Sequence, residues 1–241
     1  MIEKVKLFFK DIFFNHRWRC VVCKREKFND GFVCESCEKV LPYIEKRCKH
    51  CGRALLRNAD VCDECRGELI SFNQAVSVFD YGESIATLIR NFKYEGQRYL
   101  KEYFGEKLYT CFINSNINCD IVTYVPMSSK EYKKRGYNQA ELLAKEFIKR
   151  TKYPIFNGLI KRKETKRQAG LNFKERLENL ESAFAVKNKK TINGKNVLLI
   201  DDVLTTGATA ERVSATLKRA GALRVYVLTV ASVSNKRNKE K

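Results

Sequence analysis

The chain has 241 residues, of which 44% are hydrophobic, and its net charge is +19. This length suits one domain of medium size with a small one beside it, and only three prolines and twelve glycines argue against a long disordered linker. No apolar run reaches the roughly 18 residues that span a bilayer, so we expect no transmembrane segment. The positive charge favours anionic ligands such as nucleic acids or phosphorylated small molecules.

Residues 1–19 predict a short amphipathic helix, because Ile2, Val5, Phe9 and Ile12 fall on one side of it. We expect this helix to pack on the module that follows. A helix on a membrane surface is the alternative, but it would need a broad cationic face and a second attachment signal. Lysines interrupt the apolar residues, so no secretory signal is visible and we expect a cytoplasmic protein.

Eight of the ten cysteines form four Cys-x-x-Cys pairs within residues 20–66, with ten residues between one pair and the next. Thiolates at this spacing fit tetrahedral zinc with two pairs per ion, whereas disulfides would need an oxidising compartment. Sequential pairing gives a double zinc ribbon. Interleaved pairing also satisfies the spacing, but sequential pairing is favoured because its shorter loops cost less entropy to close. The predicted ligands of two structural Zn²⁺ ions are Cys20, Cys23, Cys34, Cys37, Cys48, Cys51, Cys62 and Cys65.

From residue 72 to residue 235, predicted strands alternate with predicted helices, which indicates a parallel sheet with helices on both faces. Ligands of such sheets bind beyond the carboxyl ends of the strands. Residues 236–241 form a basic tail. The expected strands are 75–81, 120–126, 155–160, 184–186, 197–200 and 225–231, and the expected helices are 84–93, 98–113, 137–150 and 208–220, with a loop after the second strand.

The segment 197–209 carries the strongest chemical signal. Four apolar residues predict a buried strand, Asp201 and Asp202 follow where that strand would leave the sheet, and a Thr-Thr-Gly turn leads into a helix. Helix N-termini hold phosphates, and Gly207 lets the backbone approach an oxyanion. Carboxylates beside an anion pocket make sense when the ligand also carries hydroxyl groups, as ribose does, or brings Mg²⁺.

This segment resembles the motif with which type I phosphoribosyltransferases bind phosphoribosyl pyrophosphate (PRPP). A wider resemblance, from Cys20 to about Ser232, is to the ComF family of competence proteins. It implies a type I phosphoribosyltransferase-like α/β fold, a parallel sheet flanked by helices, preceded by the small cysteine-rich zinc-binding module. The wider resemblance rests on the four cysteine pairs, on the sequence Arg-Gly-Tyr-Asn-Gln at 135–139, and on the spaced residues Arg162, Thr165, Gln168, Leu171, Arg176, Asn179, Ala183 and Phe184.

The resemblance to phosphoribosyltransferases implies a role for each part of the site. Asp201 and Asp202 would bind the ribose hydroxyls and are the candidate catalytic residues, with Asp202 as the candidate base. The 5′-phosphate would bind to Thr205, Thr206, Gly207, Ala208 and Thr209. Pyrophosphate, with Mg²⁺, would bind to Pro126, Met127, Ser128, Ser129, Lys130 and Arg135. The polar segment 161–182 would form a mobile hood, with Arg162, Thr165, Gln168 and Arg176; a solvated basic surface is the alternative for its arginines and for Arg135.

The function that the resemblance implies is a phosphoribosyltransferase-like glycosyltransferase site in a protein that handles incoming single-stranded DNA during natural transformation. The acceptor is not identified by the sequence, and other competence proteins are the implied partners. Basic grooves with stacking aromatic rings bind single strands, and the chain offers Lys130, Lys133, Lys134 and Arg135 beside Tyr132 and Tyr137. The alternative is a non-catalytic adaptor that senses PRPP or binds nucleic acid and uses the zinc ribbons as its docking surface.

Overall fold

The computed structural model describes residues 18–26, 31–55, 59–66, 70–162 and 183–234. The helix predicted for residues 1–19 lies outside this part of the chain except for its last two residues. Most of the predicted hood and the basic tail 236–241 also lie outside it.

A four-stranded parallel sheet forms the centre of the molecule. Its strands are β1 (Gln74–Asp80), β2 (Ile121–Tyr124), β5 (Asn196–Leu204) and β6 (Arg224–Ser232), in the order β1-β6-β5-β2. Two short strands, β3 (Leu159–Lys161) and β4 (Phe184–Val186), pair antiparallel in a separate ribbon. Most residues of the central strands are buried, as expected for a sheet covered on both faces.

Helices cover both faces of this sheet, which confirms the expected α/β architecture. The helices are α1 (Glu35–Val40), α2 (Glu83–Tyr94), α3 (Leu100–Ile113), α4 (Ser129–Arg135), α5 (Gln139–Thr151) and α6 (Ala208–Arg219). On one face, α2, α3 and α5 bury Phe92, Phe104 and Phe147 in a common apolar cluster. On the other face, α6 packs with the β3–β4 ribbon around Val213 and Leu217.

Three predicted strands were wrong by two residues or more at one end. The strand expected to end at residue 200 continues to Leu204, because β6 pairs with it to the end and places Asp201 opposite Thr229. The strand expected over 120–126 ends at Tyr124. Within 155–160, Ile155 forms only an isolated bridge to Val122, and the strand begins at Leu159.

The loop expected after the second strand is in part a helix. Helix α4 begins with a capping box, in which the Ser128 hydroxyl accepts from the backbone N–H of Glu131 and the Glu131 carboxylate accepts from the N–H of Ser128. This reciprocal pair satisfies two backbone donors at the helix start. Because the helix has few apolar residues, hydrophobic periodicity did not reveal it.

The cysteine-rich module lies along the outer edge of β1. The N–H of Ile44 donates to the carbonyl of Val78 at 3.0 Å, and the N–H of Ala75 donates to the carbonyl of His50 at 2.7 Å. These bonds satisfy backbone groups that an open sheet edge would leave unpaired. The zinc module is therefore built onto the sheet and covers its edge.

Candidate ligand site and metal centres

The eight predicted zinc ligands form two groups of four, as sequential pairing predicts. One group contains Cys20, Cys23, Cys34 and Cys37, the other contains Cys48, Cys51, Cys62 and Cys65, and within each group the sulfur atoms lie within 4.8 Å of one another. Backbone N–H groups support the sulfurs, since Cys34 donates to Cys20 at 3.4 Å and Cys62 to Cys48 at 3.3 Å. Four thiols so placed fit tetrahedral Zn²⁺, so the residues present suit two structural zinc ions.

The first ribbon, which we define as residues 18–26 and 31–41, is joined to helix α3 by the carboxylate of Glu38. This carboxylate accepts hydrogen bonds from the hydroxyls of Tyr43 and Tyr103 and pairs with the ammonium of Lys107. Burial alone would raise the pKa of Glu38, but the donors of Lys107 and Tyr43 outweigh it and hold this pKa below its usual value. The first ribbon therefore docks on the helical layer.

The second ribbon, residues 42–55 and 59–66, reaches the predicted phosphate loop through Arg53. Its guanidinium donates to the Glu64 carboxylate at 2.5 Å and to the backbone carbonyl of Thr205 at 2.7 Å, and the residue is 7% exposed. Sequence reasoning missed Arg53, because 152 residues separate it from Thr205. Nothing in the local pattern signalled this contact.

The two acids of the motif are consecutive residues near the carboxyl end of β5. The Asp202 carboxylate pairs with the ammonium of Lys93 at 2.8 Å, and the Asp201 carboxylate accepts from the N–H of Asp202 at 2.8 Å. Desolvation raises the pKa of Asp201 well above its usual range, and the neighbouring charge of Asp202 adds to this effect. A carboxyl pair with one raised pKa is typical of a functional site.

Lys93 is a second site residue that the sequence did not reveal. It lies in the last turn of α2, and 109 residues separate it from Asp202. Its ammonium brings a positive charge to the acids where a ligand with phosphate groups is expected.

The predicted phosphate loop, Thr205–Thr209, joins β5 to α6. Thr205, Thr206, Ala208 and Thr209 are exposed, and Gly207 has φ of +86°. Among the described residues, no hydrogen bond joins the N–H of Thr205, Thr206 or Gly207 to a protein acceptor. Amides that have no described protein acceptor at the start of a twelve-residue helix are suited to holding an anion.

The predicted pyrophosphate segment lies at the same edge of the sheet. Tyr124 at the end of β2 is opposite Ile200, and the N–H of Val125 donates to the Ile200 carbonyl at 3.0 Å. Residues 126–130 thus begin beside the two acids. Within this segment, Ser128 is engaged in the capping box of α4.

The basic and aromatic residues near the site divide into buried and exposed groups. Arg135 stacks on Tyr94, with 4.8 Å from its guanidinium carbon to the ring centroid, and donates to Gln139 at 2.6 Å. Tyr137, expected to be available for stacking, is 7% exposed, and its hydroxyl donates to the carbonyl of Phe92. Tyr132 is 50% exposed.

Of the four residues named for the predicted hood, the structure describes only Arg162. It is exposed, and its N–H donates to the carbonyl of Ala183 at 2.9 Å. Thr165, Gln168 and Arg176 lie outside the described residues. Among the helices in the described part, none has the length and apolar character needed to cross a bilayer.

Comparisons with known proteins find two domain families in this chain. The double zinc ribbon domain matches residues 9–69, and the phosphoribosyl transferase domain matches residues 133–241. Competence protein F of Haemophilus influenzae is 30% identical over 230 residues, covering 91% of this chain and 98% of the relative. DNA utilization protein YhgH of Escherichia coli K12 is 23% identical over 201 residues, covering 81% and 88%.

A solved structure of the glutamine PRPP amidotransferase from B. subtilis, complexed with ADP and GMP, is also similar. The likeness covers 53% of this chain and 25% of that chain, at 24% identity and a TM-score of 0.40.

Proposed function

Because this chain belongs to the competence protein F family, we propose that its phosphoribosyltransferase domain binds PRPP together with Mg²⁺ as part of the handling of incoming DNA. The names of the relatives, which refer to competence and DNA utilization, support the second half of this proposal. The phosphoribosyl transferase match supports the first half.

One observation carries the ligand assignment: Asp201 and Asp202 adjoin a loop in which the amides of 205–207 have no protein acceptor among the described residues. The acids provide acceptors for the ribose 2′ and 3′ hydroxyls. The amides and hydroxyls of Thr205–Thr209 provide donors for the 5′-phosphate. A phosphorylated ribose presents both the hydroxyl groups and the phosphate that these two halves would bind.

The proposed reaction is displacement of pyrophosphate from the ribose by a nucleophilic acceptor. Carboxylate and hydroxyl oxygens are the ligands that Mg²⁺ prefers, and Mg²⁺ bound with PRPP supplies positive charge to the departing pyrophosphate. The residues of the chain hold the ribose and the phosphates in place for the attack. Asp201 replaces Asp202 as the candidate for proton transfer, because its pKa is raised while Asp202 is tied to Lys93.

Calorimetric titration with PRPP and Mg²⁺ tests the site. We expect the wild type to bind and the double variant Asp201→Asn/Asp202→Asn to lose at least about 100-fold in affinity, since both ribose acceptors change. Asp120→Asn is the matched control, because Asp120 accepts from the N–H of Asn196 at the opposite end of the sheet. Equal affinity in the double variant and the control would contradict the assignment.

Turnover separates a transferase from an adaptor that only senses PRPP. Pyrophosphate release would be measured with a panel of nucleobases and oligonucleotides as acceptors. Release with one acceptor, lost in the Asp201→Asn/Asp202→Asn variant, supports transfer. Tight binding of PRPP without release for any member of the panel favours the adaptor.

A second candidate function, binding of single-stranded DNA, is favoured by the surface of α4. Lys133 and Lys134 are exposed there next to the half-exposed ring of Tyr132, and the whole chain has a net charge of +19. Basic side chains next to a stacking ring suit a single strand. We expect the logarithm of the affinity for an oligonucleotide to fall steeply with the logarithm of the salt concentration, and less steeply in Lys133→Ala/Lys134→Ala. A slope unchanged by these substitutions would exclude this surface as the binding site for single-stranded DNA.

A further inference from the structure

We propose that Arg53 is a positioning residue for the phosphate loop, so that the second zinc ribbon forms part of the ligand site. The identity of the ligand rests on the proposed function above. The role of Arg53 itself rests on its contacts in the structure.

Arg53 connects two groups, one in its own ribbon and one in the phosphate loop. Its guanidinium bridges the carboxylate of Glu64, in the short turn between two zinc ligands, and the carbonyl of Thr205. Hydrogen bonds that involve a charged donor are about twice as strong as neutral ones, and a guanidinium holds its donors in a fixed plane. The bridge therefore fixes both the distance and the direction of the Thr205 carbonyl.

Fixing this carbonyl also fixes the next amide. The peptide group is planar and trans, so the N–H of Thr206 points away from the Thr205 carbonyl. With the carbonyl held toward the ribbon, this N–H is directed to the opposite side of the loop, where no described residue accepts from it. In the proposed site that is the side on which the 5′-phosphate is held.

A second link lies close to the first. The carboxylate of Glu211 in α6 accepts from both the N–H and the hydroxyl of Ser71, a residue between the second ribbon and β1, with the N–H at 2.8 Å. The N–H of Glu211 in turn donates to the carbonyl of Gly207 at 2.9 Å. The first turn of α6, which follows the loop, is thus tied to the segment between the second ribbon and β1.

Arg53 and its partner Glu64 both lie next to ligands of the second zinc tetrad. The N–H of Cys48 donates to the carbonyl of Arg53 at 2.9 Å, and Glu64 lies between Cys62 and Cys65 in the same tetrad. The backbone of Arg53 and the carboxylate that orients its side chain therefore both belong to the ribbon that holds these four thiols.

The first ribbon provides a matched control. Arg25 occupies the position in the first ribbon that Arg53 occupies in the second, since each is two residues after a Cys-x-x-Cys pair and its carbonyl accepts from the first cysteine of that pair at 2.9 Å. Arg25, however, is exposed. Arg25→Ala thus makes the same chemical change without touching the loop.

The experiment compares Arg53→Ala, Arg53→Lys and Arg25→Ala, each checked for two bound zinc ions. Calorimetry with Mg²⁺ present measures the affinity for ribose 5-phosphate and, separately, for inorganic pyrophosphate. We expect Arg53→Ala to lower the affinity for ribose 5-phosphate by about tenfold or more, while the affinity for pyrophosphate changes by less than about twofold. Arg53→Lys should recover part of the loss because one donor remains, and Arg25→Ala should change neither affinity.

A second measurement does not need a ligand. The NMR order parameters of the Thr206 and Gly207 amides, which report motion on the picosecond to nanosecond scale, should fall in Arg53→Ala and stay at the wild-type level in Arg25→Ala. If Arg53→Ala behaves as Arg25→Ala in both measurements, or if both ligands weaken equally, the positioning role is excluded. If the wild type binds neither ligand, the proposed function fails, and the order parameters alone decide the role of Arg53.

Discussion

The two zinc ribbons share their ligand spacing and thiol geometry but serve different surfaces. The first packs on helix α3 through Glu38, which binds Tyr103 and Lys107. The second pairs with the edge of β1 and reaches the phosphate loop through Arg53. The cysteine pattern thus predicts that a ribbon exists, while the residues that follow the cysteines determine what the ribbon does.

Two corresponding positions show this difference. Lys24 and Gly52 both follow a Cys-x-x-Cys pair, and both have positive φ, +64° and +68°. Lys24 is exposed, and its ammonium donates to the Val21 carbonyl at 2.8 Å. A Cβ on Gly52 would lie 2.4 Å from the carbonyl oxygen of Ala75. Only the second ribbon needs a glycine there, because only it approaches the sheet backbone so closely.

Removing one metal at a time should show the largest difference between the ribbons. We expect Cys51→Ser/Cys62→Ser to lose one zinc ion and to lower PRPP affinity at least about 100-fold, because the support of the phosphate loop is lost. Cys23→Ser/Cys34→Ser should also lose one zinc ion but change PRPP affinity by less than about threefold. Zinc content and calorimetry measure both effects, and equal losses of affinity would remove the distinction.

Substitutions at Gly52 and at the corresponding Lys24 should have different effects on stability. Gly52→Ala should lower the free energy of unfolding by about 3 kcal/mol, since the left-handed backbone and the contact with Ala75 both oppose a Cβ. Lys24→Gly should change stability by less than about 1 kcal/mol. Thermal unfolding of the zinc-loaded protein checks this pair, and a tolerated Gly52→Ala would show that the ribbon can move off β1.

Glu38 should be the main contact that holds the first ribbon on helix α3. Glu38→Gln should cost about 2 kcal/mol of stability, because Lys107 loses its charged partner, and should leave PRPP affinity unchanged. The pKa of Glu38 is lowered in the folded state, so its stabilising effect is present above the unfolded-state pKa and is lost as the pH falls through the folded-state value. The stability difference between wild type and variant should therefore shrink in acid; a constant difference would contradict the ion pair.

Substitutions of Asp201 and Asp202 should change stability by smaller amounts, and the two changes should have opposite signs. Asp201→Asn should stabilise the ligand-free protein by about 1 kcal/mol at neutral pH, because the raised pKa means that the ionised form is disfavoured by folding. This gain should vanish below the unfolded-state pKa of about 3.9. Asp202→Asn should instead destabilise, since Lys93 loses its partner. Melting temperatures that shift in the same direction in the two variants would contradict these opposite effects.

Features carried by local spacing were predictable from the sequence. The cysteine pairs, the alternation of strands and helices and the motif around Asp201 all lie in short runs whose residues fix their own geometry. The length of β5 was not predictable, because pairing with β6 holds two aspartates in a strand that the apolar run alone would end at Ile200.

Contacts between distant segments could not be predicted. The pairs Lys93–Asp202 and Arg53–Thr205 join surface-type residues that leave no periodic pattern in the chain. Helix α4 is an intermediate case. Its Ser-x-x-Glu capping signal is present at 128–131, but the charged residues after it lack the apolar spacing that identifies most helices.

A crystal structure of this chain with PRPP and Mg²⁺ would test the central claim most directly. We expect the ribose hydroxyls on Asp201 and Asp202, the 5′-phosphate against the amides of Thr206 and Gly207, and the Arg53 guanidinium still on the Thr205 carbonyl. A ligand bound elsewhere, with both acids turned away from it, would contradict the proposed site.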